Sequence, residues 1–523
     1  MAPPSLAASV EEELAERIEN VAPVHPRLFF TESEETEIRE RFESDPLLQA
    51  VFTYIRASSD ILLEQPPLER EKIGRRLLSV SRYCLQRVEY LAFTYRMTRH
   101  EPYLRRAEEE MLAAASFEDW NPSHFLDVAE MTAALAIGYD WLYNDLSPET
   151  RSAVKAALLD KGLRPSMAVT RGWVNGNNNW NQVCHGGSVM GALALLEDEP
   201  ELAVQITARA IANVPRAMHE YEPDGVYPEG PSYWEYGTSY NVLLIAALES
   251  VFAHDFGLGS APGFLKTPEF YLRATGPSGL YFNFSDCGER GEISPAMHWL
   301  ARRRQDPSLL WQERKALQKF ATVKPDAHGR GSRLLPFLLI WALPMSEEAV
   351  PAPLHWFGDG SNPVALFRSA WDDNATYVGI KGGSPSANHG HMDAGSFVLE
   401  MDGVRWAVDL GADGYHGLES KGVDLWNRRQ DSQRWTVFRL NNFSHNTLVV
   451  DGELQQVKGL APITAFSDEP DAPYALIDLA PVYEGQLAGA RRGVRLVGPS
   501  VLVQDEVRAL DRTSMVRWGM VTR

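Results

Sequence analysis

Residues 397–411 read FVLEMDGVRWAVDLG. Apolar and polar residues alternate on both sides of Asp402-Gly403, a dipeptide suited to the left-handed backbone of a two-residue turn. The stretch predicts a β-hairpin with Asp402-Gly403 at its tip. Just before it stands SPSANHGHMDAGSF, residues 384–397, in which His389 and His391 flank Gly390 and Asp393 follows two residues later. Only 13 histidines occur in 523 residues, so two of them a glycine apart at the mouth of a hairpin ask for a reason.

Working outward, the period of two persists toward the C-terminus in ATYVGIKGG, HNTLVVDG, RRGVRLVG and SVLVQDEV. Asp451-Gly452 and Gly498-Pro499 mark further turns. These runs predict an antiparallel β-sandwich over residues 346–523. The chain stops at MVRWGMVTR, so further strands are expected beyond it. Toward the N-terminus, LPMSEEAVPAPLHWFGDGSNP reads as a linker because of its prolines. Before it the period is helical. TESEETEIRERF offers Thr31 or Ser33 as an N-cap with acidic residues in the first turn. Helical stretches follow near 71–97, 100–116, 123–143, 147–161, 181–196, 199–219, 233–254 and 306–322. Paired helices without intervening strands predict an (α/α) toroid over residues 1–345. The fold class is therefore α+β and multidomain: an N-terminal (α/α) toroid, then an antiparallel β-sandwich.

The bulk numbers set limits. A chain of this length exceeds one compact core, and 44% hydrophobic with 23% charged residues is a globular composition. A formal net charge of −20 argues against a general nucleic-acid or membrane-surface binder, yet a local Arg and Lys cluster can still dominate a pocket. Cys84, Cys184 and Cys287 form no disulfide framework. No apolar run approaches the ~18 residues of a membrane span. The start, MAPPSLAASVEEELAERIEN, shows no signal peptide as written.

Three constellations carry chemistry. GNNNWNQVCHGG (176–187) joins an asparagine loop to a helix; its plain reading is a turn and cap, but a carboxamide beside Trp180 also suits a substrate carboxylate. DGVYPEGPSYWEYGTSYNVLL (224–244) sets Tyr233, Tyr236 and Tyr240 on one helical face. Core packing is the usual cause of such a stripe, although buried phenols each need a partner. Glu229 and Glu235 stand there as an acid/base pair. In the third, Gly390 lets the two imidazoles diverge. His391 then suits a metal while His389 faces a ligand, with Asp409 and His445 as further donors; His, His and Asp suit Zn²⁺. The spacing H-x-H is not by itself a metal motif.

In this order, on a helical half followed by a β half, NNNWNQVCHGG, DGVYPEGPSYWEYG, NHGHMDAGSF with AVDLG, and SHNTLVVDG resemble the heparinase II/III-like polysaccharide lyases. The resemblance spans about residues 25 to 523. It implies β-elimination on an anionic uronate polysaccharide or oligosaccharide, in a cleft between toroid and sandwich. By the same resemblance Asn179 (with Asn178 as alternative) neutralises the substrate carboxylate. Tyr233 (with Tyr236 as alternative) and His389 are catalytic, and His391, Asp409 and His445 hold one structural Zn²⁺ per chain. Trp180, Gln182, Glu229, Tyr236 and Arg434 are expected to bind substrate. The resemblance further implies a periplasmic or secreted protein, leaves a homodimer open, and involves no nucleic acid or membrane.

The residue types suit that chemistry. The C5 proton of a uronate is weakly acidic, and Asn179 with a protonated His389 would stabilise the charge that develops. A phenol of pKa ~10 needs positive charge nearby to act as a base, for which Arg434 and Arg439 are candidates. Two other readings remain: a glycoside hydrolase using two of Asp224, Glu229, Glu235 and Asp286, which must stand about 5 to 10 Å apart, and a non-catalytic glycan-binding protein with a structural zinc.

Overall fold

The computed structural model describes residues 6–291, 293–320, 322–326, 333–343 and 350–523. The helical half is a ring. Helices Leu78–Thr98, Phe125–Leu142, Asn179–Ala194, Pro231–Phe252, Pro295–Arg304 and Leu335–Trp341 touch in that order, and the last packs back on the first. Return helices Glu101–Ser116, Pro148–Ala157 and Pro200–Met218 lie outside them. Because each return reverses the chain, the first four ring helices run parallel. Their N-terminal ends therefore gather at one mouth of the ring. All residues of Phe125–Leu142 are buried, as expected of a helix walled by neighbours on every side.

Local chemistry sets the helix ends. Thr31 and Glu34 form a capping box, while Asp45 and Ser147 accept backbone N–H groups at the starts of Pro46–Leu63 and Pro148–Ala157. The helix expected over 71–97 begins only at Leu78, because Ile73 and Arg76 bridge across a turn with Gly74 at φ 61°. The stretch 147–161 runs into a π turn, Leu158–Leu163, and 306–322 opens as a 3-10 turn, Pro307–Leu310. Leu6–Glu19, Pro46–Leu63, Thr267–Arg273, Pro295–Arg304 and Leu335–Trp341 were not among the expected helices. The last, LPFLLIW, is buried at every residue and carries no polar face to give it a period.

The β half holds a five-stranded antiparallel sheet in the order β1 (His355–Gly358), β2 (Val364–Arg368), β3 (Tyr377–Lys381), β4 (Phe397–Met401), β5 (Val404–Ala407). Strand β6 (Leu448–Val450) pairs with β11 (Val516–Trp518). The second sheet is β10 (Ser500–Ala509), β9 (Leu487–Val497), β8 (Tyr474–Asp478), β7 (Ile463–Ser467). The β4–β5 hairpin turns at Asp402 (φ 52°) and Gly403 (φ 75°), with Met401 opposite Val404. Strand β1 lies inside the stretch read as a linker, and the expected domain boundary at 345/346 falls outside the described residues.

The first sheet is covered on both faces. Ala365, Phe367, Val378 and Ile380 pack toward the second sheet, while Val364, Leu366, Tyr377 and Val398 join the core of the helical ring. This doubly covered sheet holds the loops that follow β3 and β5 against the ring's mouth.

Candidate active site

At that mouth the helical half presents two side chains from helix starts. Asn178 caps the Asn179–Ala194 helix, its Oδ1 accepting from Trp180 N at 3.1 Å. Asn179 is thereby the first helical residue, and its Nδ2 donates to Glu229 Oε2 at 2.9 Å. Gly230, at φ 87°, turns the chain into the Pro231–Phe252 helix; a Cβ there would meet Phe284 O at 2.8 Å. Tyr233 follows in the first turn.

The β half meets them with the loop between β3 and β4. His389 takes a left-handed backbone, φ 55°, an uncommon state for a residue with a Cβ. Its carbonyl accepts from Asp286 N at 3.2 Å. Its ring stacks on Tyr233 at 4.2 Å between centroids. Asn388 Nδ2 donates to Glu229 Oε2 at 3.0 Å, so one carboxylate oxygen takes an amide from each half. Burial pushes the Glu229 carboxyl up, against the pull of His389 and the two amides.

Asp286 organises the rest. Its Oδ2 lies 3.2 Å from His389 Nδ1, its Oδ1 lies 3.0 Å from His391 Nε2, and Arg439 Nη1 donates to Oδ1 at 2.7 Å. Burial alone would raise this carboxyl, but the imidazoles hold it well below the ordinary range. The Tyr415 hydroxyl donates to Asp286 Oδ2 at 3.2 Å, lies 3.1 Å from His389 Nδ1, and is 2.8 Å from the Tyr233 hydroxyl. Burial, then the charge of Asp286, raises the Tyr233 phenol above its usual value.

Tyr415 rides on the long loop after β5, which reaches the helical half. Arg76 Nη1 donates to Glu419 Oε2 at 2.6 Å and Nη2 to Oε1 at 3.0 Å, and Trp426 Nε1 donates to Oε1 at 3.0 Å. Trp426 stands edge-on to His389, 5.5 Å between centroids.

A second cluster lies behind His389. Donor atoms of His391, Asp409 and His445 all fall within 4.8 Å of one another, and all three residues are buried. His445 Nδ1 is 3.0 Å from Asp409 Oδ2. His391 Nδ1 and His445 Nε2 are buried with no hydrogen-bond partner among the described residues. Two orphaned imidazole nitrogens beside a carboxylate are what a divalent ion such as Zn²⁺ requires.

Among the residues expected to act, Asn179, Glu229, Tyr233 and His389 come together. Four others make other contacts. Gln182 is in the core, donating to the Tyr221 hydroxyl at 2.8 Å and accepting from Tyr227 at 2.9 Å, so its amide has no free face for a glycan. Arg434 is buried and donates to Gly390 O and Leu425 O, bracing the histidine loop. Tyr236 sits one turn deeper, under Arg82 and Arg333. Trp180 is half-buried against His124. Arg439 and Arg434 serve Asp286 and the backbone, not Tyr233. Of the carboxylates proposed for hydrolysis, Asp224 pairs with Lys266 at the surface and Asp286 is locked by its partners. Tyr415, Asn388 and Trp426 were not singled out from the sequence; they sit on loops, where no period marks them.

Residues 364–522 match the family model for the C-terminal region of heparinase II/III-like proteins. No curated protein matches the chain at a significant level. Among solved structures, heparan sulfate lyase HepC from Pedobacter heparinus is 14% identical, with 96% of this chain and 74% of that chain covered and a TM-score of 0.56. A heparinase III gene product with methylated lysines is 14% identical over 87% of this chain and 70% of that one, TM-score 0.55. A further heparinase III structure covers 81% of this chain and 62% of its own at 14% identity, TM-score 0.53. Such identities speak for a shared fold. Residues 364–522 thus match the C-terminal region of heparinase II/III-like proteins, and the chain shares the fold of these heparinase structures along most of its length.

Proposed function

We propose that this protein is a polysaccharide lyase that cleaves uronate-containing glycans by β-elimination, leaving a C4–C5 unsaturated uronate at the new end. The observation that carries this reading is the stacked Tyr233–His389 pair, joined through the Tyr415 hydroxyl and contributed by the two halves of the chain. The anionic class of substrate is supported by the ring helices, whose N-terminal ends bring partial positive charge to the mouth.

The roles follow from the surroundings of each group. Asn179 gives one amide hydrogen to Glu229 and keeps the other for the substrate carboxylate, whose developing charge it stabilises. Glu229, pushed up by burial, accepts from the Asn179 and Asn388 amides and so fixes the direction of the Asn179 carboxamide. With Nδ1 directed to ionised Asp286, His389 has Nε2 available to take the C5 proton. The electron pair of the C5–H bond becomes the second bond of the C4–C5 double bond as the C4–O bond breaks. Tyr233, held in its phenol form, gives its proton to the leaving oxygen. The Tyr415 hydroxyl links the phenolate to the imidazole, a route by which the proton returns. The sequence left both tasks open to Tyr233, removal of the C5 proton and protonation of the leaving oxygen; this assignment gives it the second.

One Zn²⁺ would be held by His391, Asp409 and His445. When bound, it would supply a cross-link between the histidine loop, the end of β5 and the segment before β6. The elimination needs no metal hydroxide, so the ion's part is structural. Such a polymer substrate places the enzyme in the periplasm or outside the cell.

The test is ultraviolet absorbance of the conjugated C4–C5 product over a panel of uronate polysaccharides. An absorbing product supports the lyase. New reducing ends without absorbance would point to a hydrolase, and binding with neither to a glycan-binding protein.

A further inference from the structure

One turn beyond Tyr233, the same face of the Pro231–Phe252 helix carries Tyr236. Two guanidinium groups lie over its ring, Arg82 at 4.7 Å and Arg333 at 5.4 Å. Both also reach Glu130, whose side chain has no exposed surface. Arg333 satisfies that carboxylate in a fork, Nε to Oε2 at 3.1 Å and Nη2 to Oε1 at 3.0 Å, and the Tyr240 hydroxyl donates to Oε2 at 2.8 Å. Arg82 adds only its Nε, at 3.3 Å. A buried carboxylate already forked by one arginine and bonded by a phenol has little need of a second arginine.

Arg82 pairs with no other carboxylate among the described residues, and 38% of its side chain is exposed. The charge count points the same way. Glu130 stays ionised beside the two arginines, while burial pushes the neighbouring Glu89 and Glu235 up toward their neutral forms. Two guanidinium groups thus face the one carboxylate that both of them reach. Arg82 lies over Tyr236 and reaches Glu130 through its Nε alone, and its terminal N–H groups suit a planar or tetrahedral oxyanion. The field of Arg82 reaches Tyr233 itself.

We propose that Arg82, backed by Arg333 and Tyr236, is a second oxyanion subsite that takes a carboxylate or sulfate group of the sugar adjoining the one at Tyr233. The proposal rests on the lyase reading and extends it: the substrate carries a second anionic group one sugar away, inside the ring.

The experiment uses the full chain, Arg82→Gln and Arg82→Lys, with oligosaccharides in matched pairs. One pair is an oligouronate and its counterpart carboxyl-reduced at the neighbouring sugar. The other is a sulfated uronate–amino sugar oligosaccharide and its desulfated counterpart. In at least one pair the wild type should favour the charged member in kcat/KM by ~10-fold or more, the scale of one charge-assisted hydrogen-bonded contact. R82Q should bring that ratio toward one, and R82K, which keeps charge but loses the fork, should fall between. The pair that responds identifies carboxylate or sulfate as the group. An unchanged ratio in R82Q, an equal loss on both members, or an R82K ratio equal to wild type overturns the assignment. If the wild type forms no absorbing product from any glycan, the lyase reading fails by itself. Calorimetric titration of the same pairs then still decides the subsite, by whether a preference for charge exists and depends on Arg82.

Discussion

The rings of Tyr233 and His389 stack at 4.2 Å between centroids and 21° between planes, and they come from opposite halves of the chain. Neither half alone holds the proposed proton donor and acceptor. Tyr233→Phe keeps the stack and removes the hydroxyl. It is expected to lower kcat by at least ~10²-fold, the usual contribution of a positioned acid or base, with an unchanged melting temperature. Full activity in Y233F would remove Tyr233 from the mechanism.

His389 and His391 share Asp286 but have different further neighbours, and their alanine variants should separate. His389→Ala is expected to lose turnover and keep both metal and melting temperature. His391→Ala is expected to lose metal and melt earlier, because binding energy at a folded site is folding energy. Elemental analysis and thermal melts on both variants check this. Metal loss in H389A would make the pair a joint ligand set.

The Arg76–Glu419 fork holds the Tyr415 loop to the helical half. Hydrogen bonding from Arg76 pulls Glu419 down to about 2. A depressed carboxyl adds stability above its unfolded pKa and loses it as pH falls toward the folded value. Solvent screening limits the pair to about 1 kcal/mol. Glu419→Gln is expected to raise KM about 5-fold and to speed proteolytic cleavage between residues 412 and 432. Equal cleavage rates in wild type and E419Q would show that the fork does not hold the loop.

Glu313 is buried, accepts from Ser294 N at 2.9 Å, and is pushed up by burial to about 8. The folded state then binds more protons than the unfolded one between the ordinary glutamate value and about 8, so stability falls as pH rises through that window. Glu313→Gln keeps an acceptor without the charge. It should flatten the decline and stabilise the protein at pH ~8 by a few kcal/mol. Denaturant melts across that range measure it; parallel curves for the two proteins would contradict it.

Alternation in FVLEMDGVRWAVDLG was sufficient for its hairpin, because one face of β5 is exposed and side chains repeat with period two. The same rule missed β2, VALFR, which is buried on both faces and so has no alternation to read. The ring helices with polar faces were legible for the same reason, and LPFLLIW was not.

At the site, unusual local runs marked the stretches, and the family resemblance picked Asn179, Tyr233 and His389 within them. It was misleading for Gln182 and Arg434, whose polar groups serve the core and the backbone. Tyr415, Asn388 and the bridging role of Asp286 belong to the tertiary structure alone. Each acts across more than a hundred residues of chain, Asp286 to His389, Asn388 to Glu229 and Tyr415 to Tyr233. Local composition records what a residue can donate or accept, but which partner reaches it is decided by how the ring and the sheets pack.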